Sequence, residues 1–248
     1  METLLLKFFL LFLFIYLFGY FIIFRKWSPK TRPEASSCFI SIFHGTPATL
    51  LAAASILSAA DRGFAAENTK FQSLVLDFSA AYFAADLLHL AVFFEGAGDL
   101  PFVIHHLATL FVLLTCRHAA SRGAVAVLAL LVLAEATSAL QNTWALARVR
   151  IKSNCSSSAN AARACDAALA LPFYGLYSMV QGLLGPYVVF RMVVFYSGGG
   201  AEGAIATWVW VSWVVVVSMA ISGSIAWVSN LWVEVYRERS RKVEEKIR

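Results

Sequence analysis

The chain has 248 residues, and 60% of them are hydrophobic, against roughly 45–50% in soluble domains. That balance excludes an ordinary soluble fold. Only 14% of the residues are charged, and they sit in a few clusters, which excludes a disordered chain and a nucleic-acid-binding surface. The net charge of +5 must therefore be read loop by loop. The four cysteines, Cys38, Cys116, Cys155 and Cys165, form no CxxC pair, so neither a structural zinc site nor a disulfide framework is signalled.

A bilayer core about 30 Å thick needs about 20 apolar residues per helix. Seven stretches approach that length: residues 4–24, 38–60, 71–94, 102–116, 123–147, 170–195 and 205–233. The first is too long for a signal peptide, lacks a small-x-small cleavage site and runs into Arg25-Lys26, so it reads as an uncleaved anchor. The fourth is short and the fifth is rich in alanine. In the sixth, Pro172, Gly175, Gly182, Gly185 and Pro186 predict a bend and close helix approach. Cys38 and Cys116, at span ends, read as packing residues. The seventh carries Trp208, Trp210 and Trp213 at one end and Trp227, Trp232 and Tyr236 at the other, where amphipathic rings favour the headgroup region. The expectation is an all-α, polytopic membrane protein with about seven transmembrane helices. Residues 1–37 form an anchor helix and basic loop, 38–233 a six-helix membrane domain, and 234–248 a basic tail.

Seven crossings put the termini on opposite sides, and the bases choose between the two orientations. Fourteen of the 20 Lys and Arg residues fall on one face, in the loops after the first and fifth spans and in the tail. Five fall on the other: Lys7, Arg62, Lys70, Arg117 and Arg122. The base-rich face is expected to be cytosolic, with the N-terminus lumenal or exterior and the C-terminus cytosolic. The sequon at Asn154, Cys155 and Ser156 then faces the cytosol and stays unmodified. The tail alternates charges as a solvated juxtamembrane helix end does, and its Arg-x-Arg triplets resemble endoplasmic reticulum retention signals.

An ionisable side chain at bilayer depth costs about 2.5–3.5 kcal/mol on insertion scales, so such residues face a cavity or a partner. Here they are Asp77, Asp86, His89, His105, His106, Glu135 and Arg191, with His44 near the start of the second span. At 1.5 Å of rise per residue, Asp86 lies about 12 Å inside the cytosolic end of its helix and Glu135 near the midplane. Tyr82, Asp86 and His89 share one helical face. His105 and His106 point about 100° apart, so one can line a pocket while the other meets a helix. A carboxylate bonded to one imidazole nitrogen makes the other a better base, which suits deprotonating an amine or hydroxyl in acyl transfer. The structural alternative is polar contacts that only hold helices together, worth about 1 kcal/mol each. A metal site from Asp86, His89 and one of His105 or His106 is geometrically conceivable but disfavoured. The five histidines form no HxxHH or HxxxH cluster, and adjacent His residues are poor co-ligands on one helix.

At these residues the sequence resembles the TLC-domain family of endoplasmic reticulum membrane proteins, which includes ceramide synthases and translocating-chain-associating proteins. The matching pieces are Ser37 and Phe43-His44-Gly45, Tyr82 to Asp86, His105-His106, Glu135-Ala-Thr-Ser138, Asn142-Thr-Trp144, Gly185-Pro186 and Arg191, spread over residues 38–233. The resemblance implies a helical bundle around a lipid-sized cavity. In ceramide synthases paired His residues and a downstream Asp pair serve acyl transfer from acyl-CoA to a long-chain amine, a step in sphingolipid synthesis. By similarity His105 and His106 take the His positions, but the Asp positions hold Leu133 and Ala136, with Glu135 between them. The Glu-x-Thr-Ser and Asn-Thr-Trp pieces are similar instead to the smaller TLC proteins, associated with membrane lipid composition.

Three functions follow as expectations. The first is membrane lipid homeostasis by binding or handling a lipid or acyl chain in an intramembrane pocket. The second is an acyltransferase in which His105 or His106 is the general base, oriented by Asp86 or Glu135, with acyl-CoA as co-substrate. The third is a non-catalytic chaperone or cargo receptor working through its loops and tail. Tyr82, His89, Asn142, Arg191 and His44 are the expected lipid-binding residues. No metal, resident cofactor or nucleic-acid partner is expected; the partner is a membrane lipid, and a homo-oligomer is left open.

Overall fold

The computed structural model describes residues 2–152 and 159–247, so the sequon at Asn154 and most of the serine-rich linker lie outside the described residues. The helices are α1 (Glu2–Phe18), α2 (Arg32–Leu57), α3 (Lys70–Val92), α4 (Leu100–Leu114), α5 (Ala124–Glu135), α6 (Ser138–Lys152), α7 (Ala159–Met179), α8 (Gly185–Ser197) and α9 (Thr207–Ile247). Wider π-helical turns carry α1 on to Ile23 and α4 on to Ala120, and join α7 to α8 through Val180–Leu184. The start of α3 is set by a capping box: Thr69 N–H donates to Gln72 Oε1 at 2.9 Å and Gln72 N–H to Thr69 Oγ1 at 3.1 Å.

Among the described residues, seven helical rods are long and apolar enough to cross a membrane: Thr3–Ile23, Arg32–Leu57, Lys70–Val92, Leu100–Ala120, Ala124–Lys152, Asn160–Ser197 and Thr207–Arg237. The chain is thus an all-α, multi-pass membrane protein. The fourth span is not short, because its π-helical turn prolongs it to Ala120. The fifth is two helices meeting at Ala136-Thr137. The sixth begins at Asn160, well before residue 170, since the alanine-rich segment ahead of it favours helix although it is not strongly apolar. Two glycines expected to bring helices together do not: a Cβ at Gly175 or Gly182 meets nothing within 4 Å, whereas one at Gly185 lies 3.1 Å from Ile221 Cδ1. The interruption there is the π-helical turn, followed by Pro186 at the start of α8, where its missing N–H costs nothing.

Helix α3 is the hub and packs against α1, α2 and α4, while α2 also meets α5 and α6. Buried Ala80, Ala81 and Ala85 of α3 and Ala48, Ala52 and Ser55 of α2 let the backbones approach, as helices do where lipid gives no hydrophobic drive. Phe12, Ile40, Leu76, Leu113, Leu128, Met192 and Trp213 fill the remaining space. A second aromatic cluster, built on Trp144, Phe173, Tyr174 and Tyr177, ties α6 and α7 to Val228 and Leu231 of α9. Outward-facing Leu10, Phe14, Leu50, Ile104, Phe190 and Met219 are exposed and make the lipid face.

One base counted above as a loop residue is not one. Arg117 is buried: its Nε donates to Asp77 Oδ1 at 3.0 Å and an Nη donates to Oδ2 at 3.3 Å. The π-helical turn carries the chain inward past Cys116, and Asn68 braces it, donating to the Cys116 carbonyl and accepting from the Ala124 N–H, both at 2.9 Å. Cys38 and Cys116 are both buried free thiols.

Candidate intramembrane polar site

Two helical faces meet to form the site. On α2, Ser37, Ser41, Gly45 and Thr49 recur every four residues; on α3, Ser79, Tyr82, Asp86 and His89 follow the three-and-four spacing of one face. The stripes interlock. Ser37 Oγ donates to Asp86 Oδ1 at 2.7 Å. Ser41 Oγ donates to the Ser37 carbonyl at 2.9 Å, so the Tyr82 hydroxyl, 2.7 Å away, donates to Ser41 Oγ. Tyr82 and Asp86 are thus both tied to Ser37, the first through Ser41 and the Ser37 carbonyl and the second through Ser37 Oγ.

The first His–carboxylate couple is His106 with Asp86. His106 Nδ1 lies 2.8 Å from the Phe102 carbonyl one turn back on α4; a carbonyl only accepts, so Nδ1 carries hydrogen. Nε2 lies 2.9 Å from Asp86 Oδ2, at ion-pair distance though off the line of a well-aligned hydrogen bond. That contact is attractive only when a proton sits between the two atoms. Both side chains are buried, with 7% of His106 and 4% of Asp86 exposed. A carboxylate held this way, with Ser37 on its second oxygen, fixes the imidazole in place.

The second couple is looser. His44 is fully buried, its ring stacked on Tyr82 at a 3.9 Å centroid distance and a 6° interplanar angle, with Phe12, Phe78 and Phe83 around it. Its Nε2 meets Ser79 Oγ at 3.1 Å, and its Nδ1 lies 3.7 Å from Glu135 Oε2, too far for a hydrogen bond. Helices α2 and α6 approach closely here. A Cβ at Gly45 would fall 2.4 Å from Ser138 Cβ and Oγ, so only glycine fits. Asn142 Nδ2 donates to the Ser138 carbonyl at 2.9 Å and reaches its Oγ at 3.2 Å.

His105 and Glu135 form the accessible edge. His105 keeps an exposed face although it is crowded by Phe83 at 6.2 Å and His106 at 5.6 Å between ring centroids. Glu135 is one-tenth exposed and within electrostatic range of both His105 and His106. The adjacent histidines thus divide as their 100° offset predicts: His106 turns inward to its carboxylate and His105 outward.

The structure brings together seven of the nine site residues named from sequence: His44, Tyr82, Asp86, His105, His106, Glu135 and Asn142. His89 is drawn toward α1 instead, where its Nδ1 meets the Tyr16 hydroxyl at 3.0 Å. Arg191 stands apart on α8, exposed, with its Nη donating to the Tyr187 hydroxyl at 3.0 Å. Near the end of its span a long basic side chain reaches for the interface and has no need of a buried partner. Ser37, Ser41, Ser79 and Ser138 are the parts that reasoning from charge missed; the four-residue stripe on α2 is the signal that points to two of them, Ser37 and Ser41, and to Gly45 beside them. Among the described residues no three His, Cys, Asp or Glu side chains converge as metal ligands would. A recess of about 720 Å³ lies elsewhere, bounded by Tyr196, Glu202, Thr207 and Trp210, and no site residue lines it.

The model of the TLC domain matches residues 34–233. A TLC domain-containing protein of Arabidopsis thaliana is 52% identical over 244 residues, covering 97% of this chain and 94% of its own length. No solved structure matches the chain.

Proposed function

The chain belongs to the TLC-domain family, and from that premise we propose that it acts in membrane lipid homeostasis by binding or handling a lipid or acyl chain at the His105–Glu135 edge. The observation that carries this reading is the pairing of a polar edge with an apolar flank. Phe102, Ile104 and Leu107, beside His105 on α4, are 53%, 56% and 51% exposed, so an acyl chain can lie along α4 while its polar end meets His105 and Glu135. His106, Asp86, Tyr82 and His44 form the rigid wall behind, and Asn142 steadies the α6 side through Ser138. The test is rescue of the lipid profile of cells lacking the protein by His105→Ala combined with Glu135→Ala, at matched protein level. Rescue equal to that of the wild type would remove the edge as the working site.

The second reading is an acyltransferase, favoured by an accessible imidazole beside a carboxylate-held one. His105 would take the proton of an amine or hydroxyl as that group attacks the thioester carbonyl of acyl-CoA; the C–S bond breaks and the leaving thiolate takes up a proton. Purified protein incubated with acyl-CoA and a long-chain amine tests it directly, and absence of product where a known synthase works would sink it. We place the protein in the endoplasmic reticulum with a lumenal N-terminus and cytosolic C-terminus. The supports are the asymmetry of bases, greater once Arg117 is removed from the sparse face, and the Arg-x-Arg triplets of the tail. A glycan on Asn154 would reverse this orientation.

A further inference from the structure

We infer that a notch between the start of α2 and the end of α6 holds the phosphate group of an anionic membrane lipid. This stands independently of what the His105–Glu135 edge does. The notch is lined by Glu34, Trp144, Ala145, Arg148, Val149 and Lys152 and has a volume of about 190 Å³. At about 30 Å³ per water, that is space for about six waters. A hydrated phosphate fits; an acyl chain does not, and would lie outside along the helices.

The chemistry of the lining is that of an anion site. Arg148 and Lys152 are four apart on α6 and project from one face. The Arg148 guanidinium sits over the Trp144 ring, 4.9 Å from its centre, which fixes its plane and leaves its N–H edge for a ligand. Among the described residues neither Arg148 nor Lys152 makes an ion pair or hydrogen bond; Glu34, also in the lining, is within electrostatic range of Lys152. The lining thus carries two positive charges and one negative, with Glu95 and Asp99 beyond it but within electrostatic range of Glu34. Beneath them Trp144 is 6% exposed, and its indole N–H has no partner among the described residues.

Position selects a lipid as the source of the phosphate. The notch opens where two spans end, Arg32 beginning one and Lys152 closing the other. Around it the boundary is marked by stacked base–aromatic pairs, Arg150 over Trp27 at 5.0 Å and Arg32 over Tyr20 at 5.2 Å. At that depth the anions at hand are headgroups.

The test is native mass spectrometry of the purified full chain titrated with phosphatidic acid, with phosphatidylcholine and with inorganic phosphate. The wild type should retain phosphatidic acid over phosphatidylcholine. Arg148→Gln with Lys152→Gln should lower that retention roughly thirty-fold, the effect of two interfacial bases, and Glu34→Gln should raise it. Arg25→Gln with Lys26→Gln removes equal charge from the neighbouring loop and should change retention little. Both notch bases are exposed, so the variants should melt like the wild type. Unchanged retention in the notch variant, or an equal loss in the loop variant, would overturn the site. Displacement of phosphatidic acid by inorganic phosphate alone would overturn its assignment to a lipid.

Discussion

Replacing Gly45 with Ala puts the packing of the site to its most direct trial. The new Cβ would lie 2.4 Å from Ser138 Cβ and Oγ and 2.9 Å from Glu135 Oε2, while comfortable carbon contacts begin near about 3.5 Å. The α2 and α6 backbones must therefore part by about 1 Å. Overpacking costs about 1–3 kcal/mol, and backbone-mounted atoms on two facing helices cannot rotate clear, which places this case at the upper end. Alanine regains about 1 kcal/mol over glycine in a helix interior. The net loss is about 2 kcal/mol, or roughly 4–8 °C in melting temperature for a chain of this size. Thermal unfolding in nanodiscs reads the shift, and adding Ser138→Gly should recover most of it, since that change removes the two atoms struck. A variant melting at or above the wild type, or strict additivity in the double variant, would refute the close crossing and with it the alignment of Glu135 on His44.

Other substitutions separate structural from working groups. Asp77→Asn or Arg117→Met alone should destabilise by about 3–5 kcal/mol, since each strands a buried charge, while a double apolar replacement should lose less; melting of the three variants shows whether the pair couples. His106→Ala should lower the melting temperature by leaving Asp86 with only Ser37, whereas His105→Ala should melt as the wild type yet fail to restore the lipid profile. Tyr16→Phe removes the bond to His89 and should cost about 0.6 kcal/mol, the mean for interhelical polar contacts in membranes, visible as a melting shift of a degree or two. Deleting residues 237–248 also removes the Arg-x-Arg triplets, so rescue is read with the shortened chain held in the endoplasmic reticulum by an added retention signal. There the lipid profile should be restored, and loss of rescue with His105→Ala still active would favour the chaperone reading.

The bilayer makes much of this fold readable, because backbone groups in hydrocarbon must bond within helices and the spans must be apolar and of fixed minimum length. Asp86, His105, His106 and Glu135 stand out in sequence for the same reason: few charges are tolerated there. Other features depend on neighbours. The π-helical turn after α4 has no local mark, so Arg117 looks like a loop base until Asp77 is seen opposite it. The serine hydroxyls are silent in a charge count, since a helix satisfies them through its own carbonyls as readily as through a partner. Gly175 and Gly182 mislead in the other direction: a small residue permits contact but does not compel it.

The first span adds a consequence of its own. Most of α1 faces outward, and the family match begins only at residue 34; yet Phe12 is 1% exposed and packs against His44, Phe78 and Tyr82, and Tyr16 holds His89. The bounds of the TLC-domain model and those of the packing therefore mark out different units, although the Arabidopsis thaliana relative matches over 97% of the chain. A fragment cut at the family boundary would keep every polar residue of the site and still be a different object, with hydrocarbon solvent in place of an aromatic wall. His44 would keep Tyr82 stacked on its face but trade the Phe12 ring beside it for acyl chains.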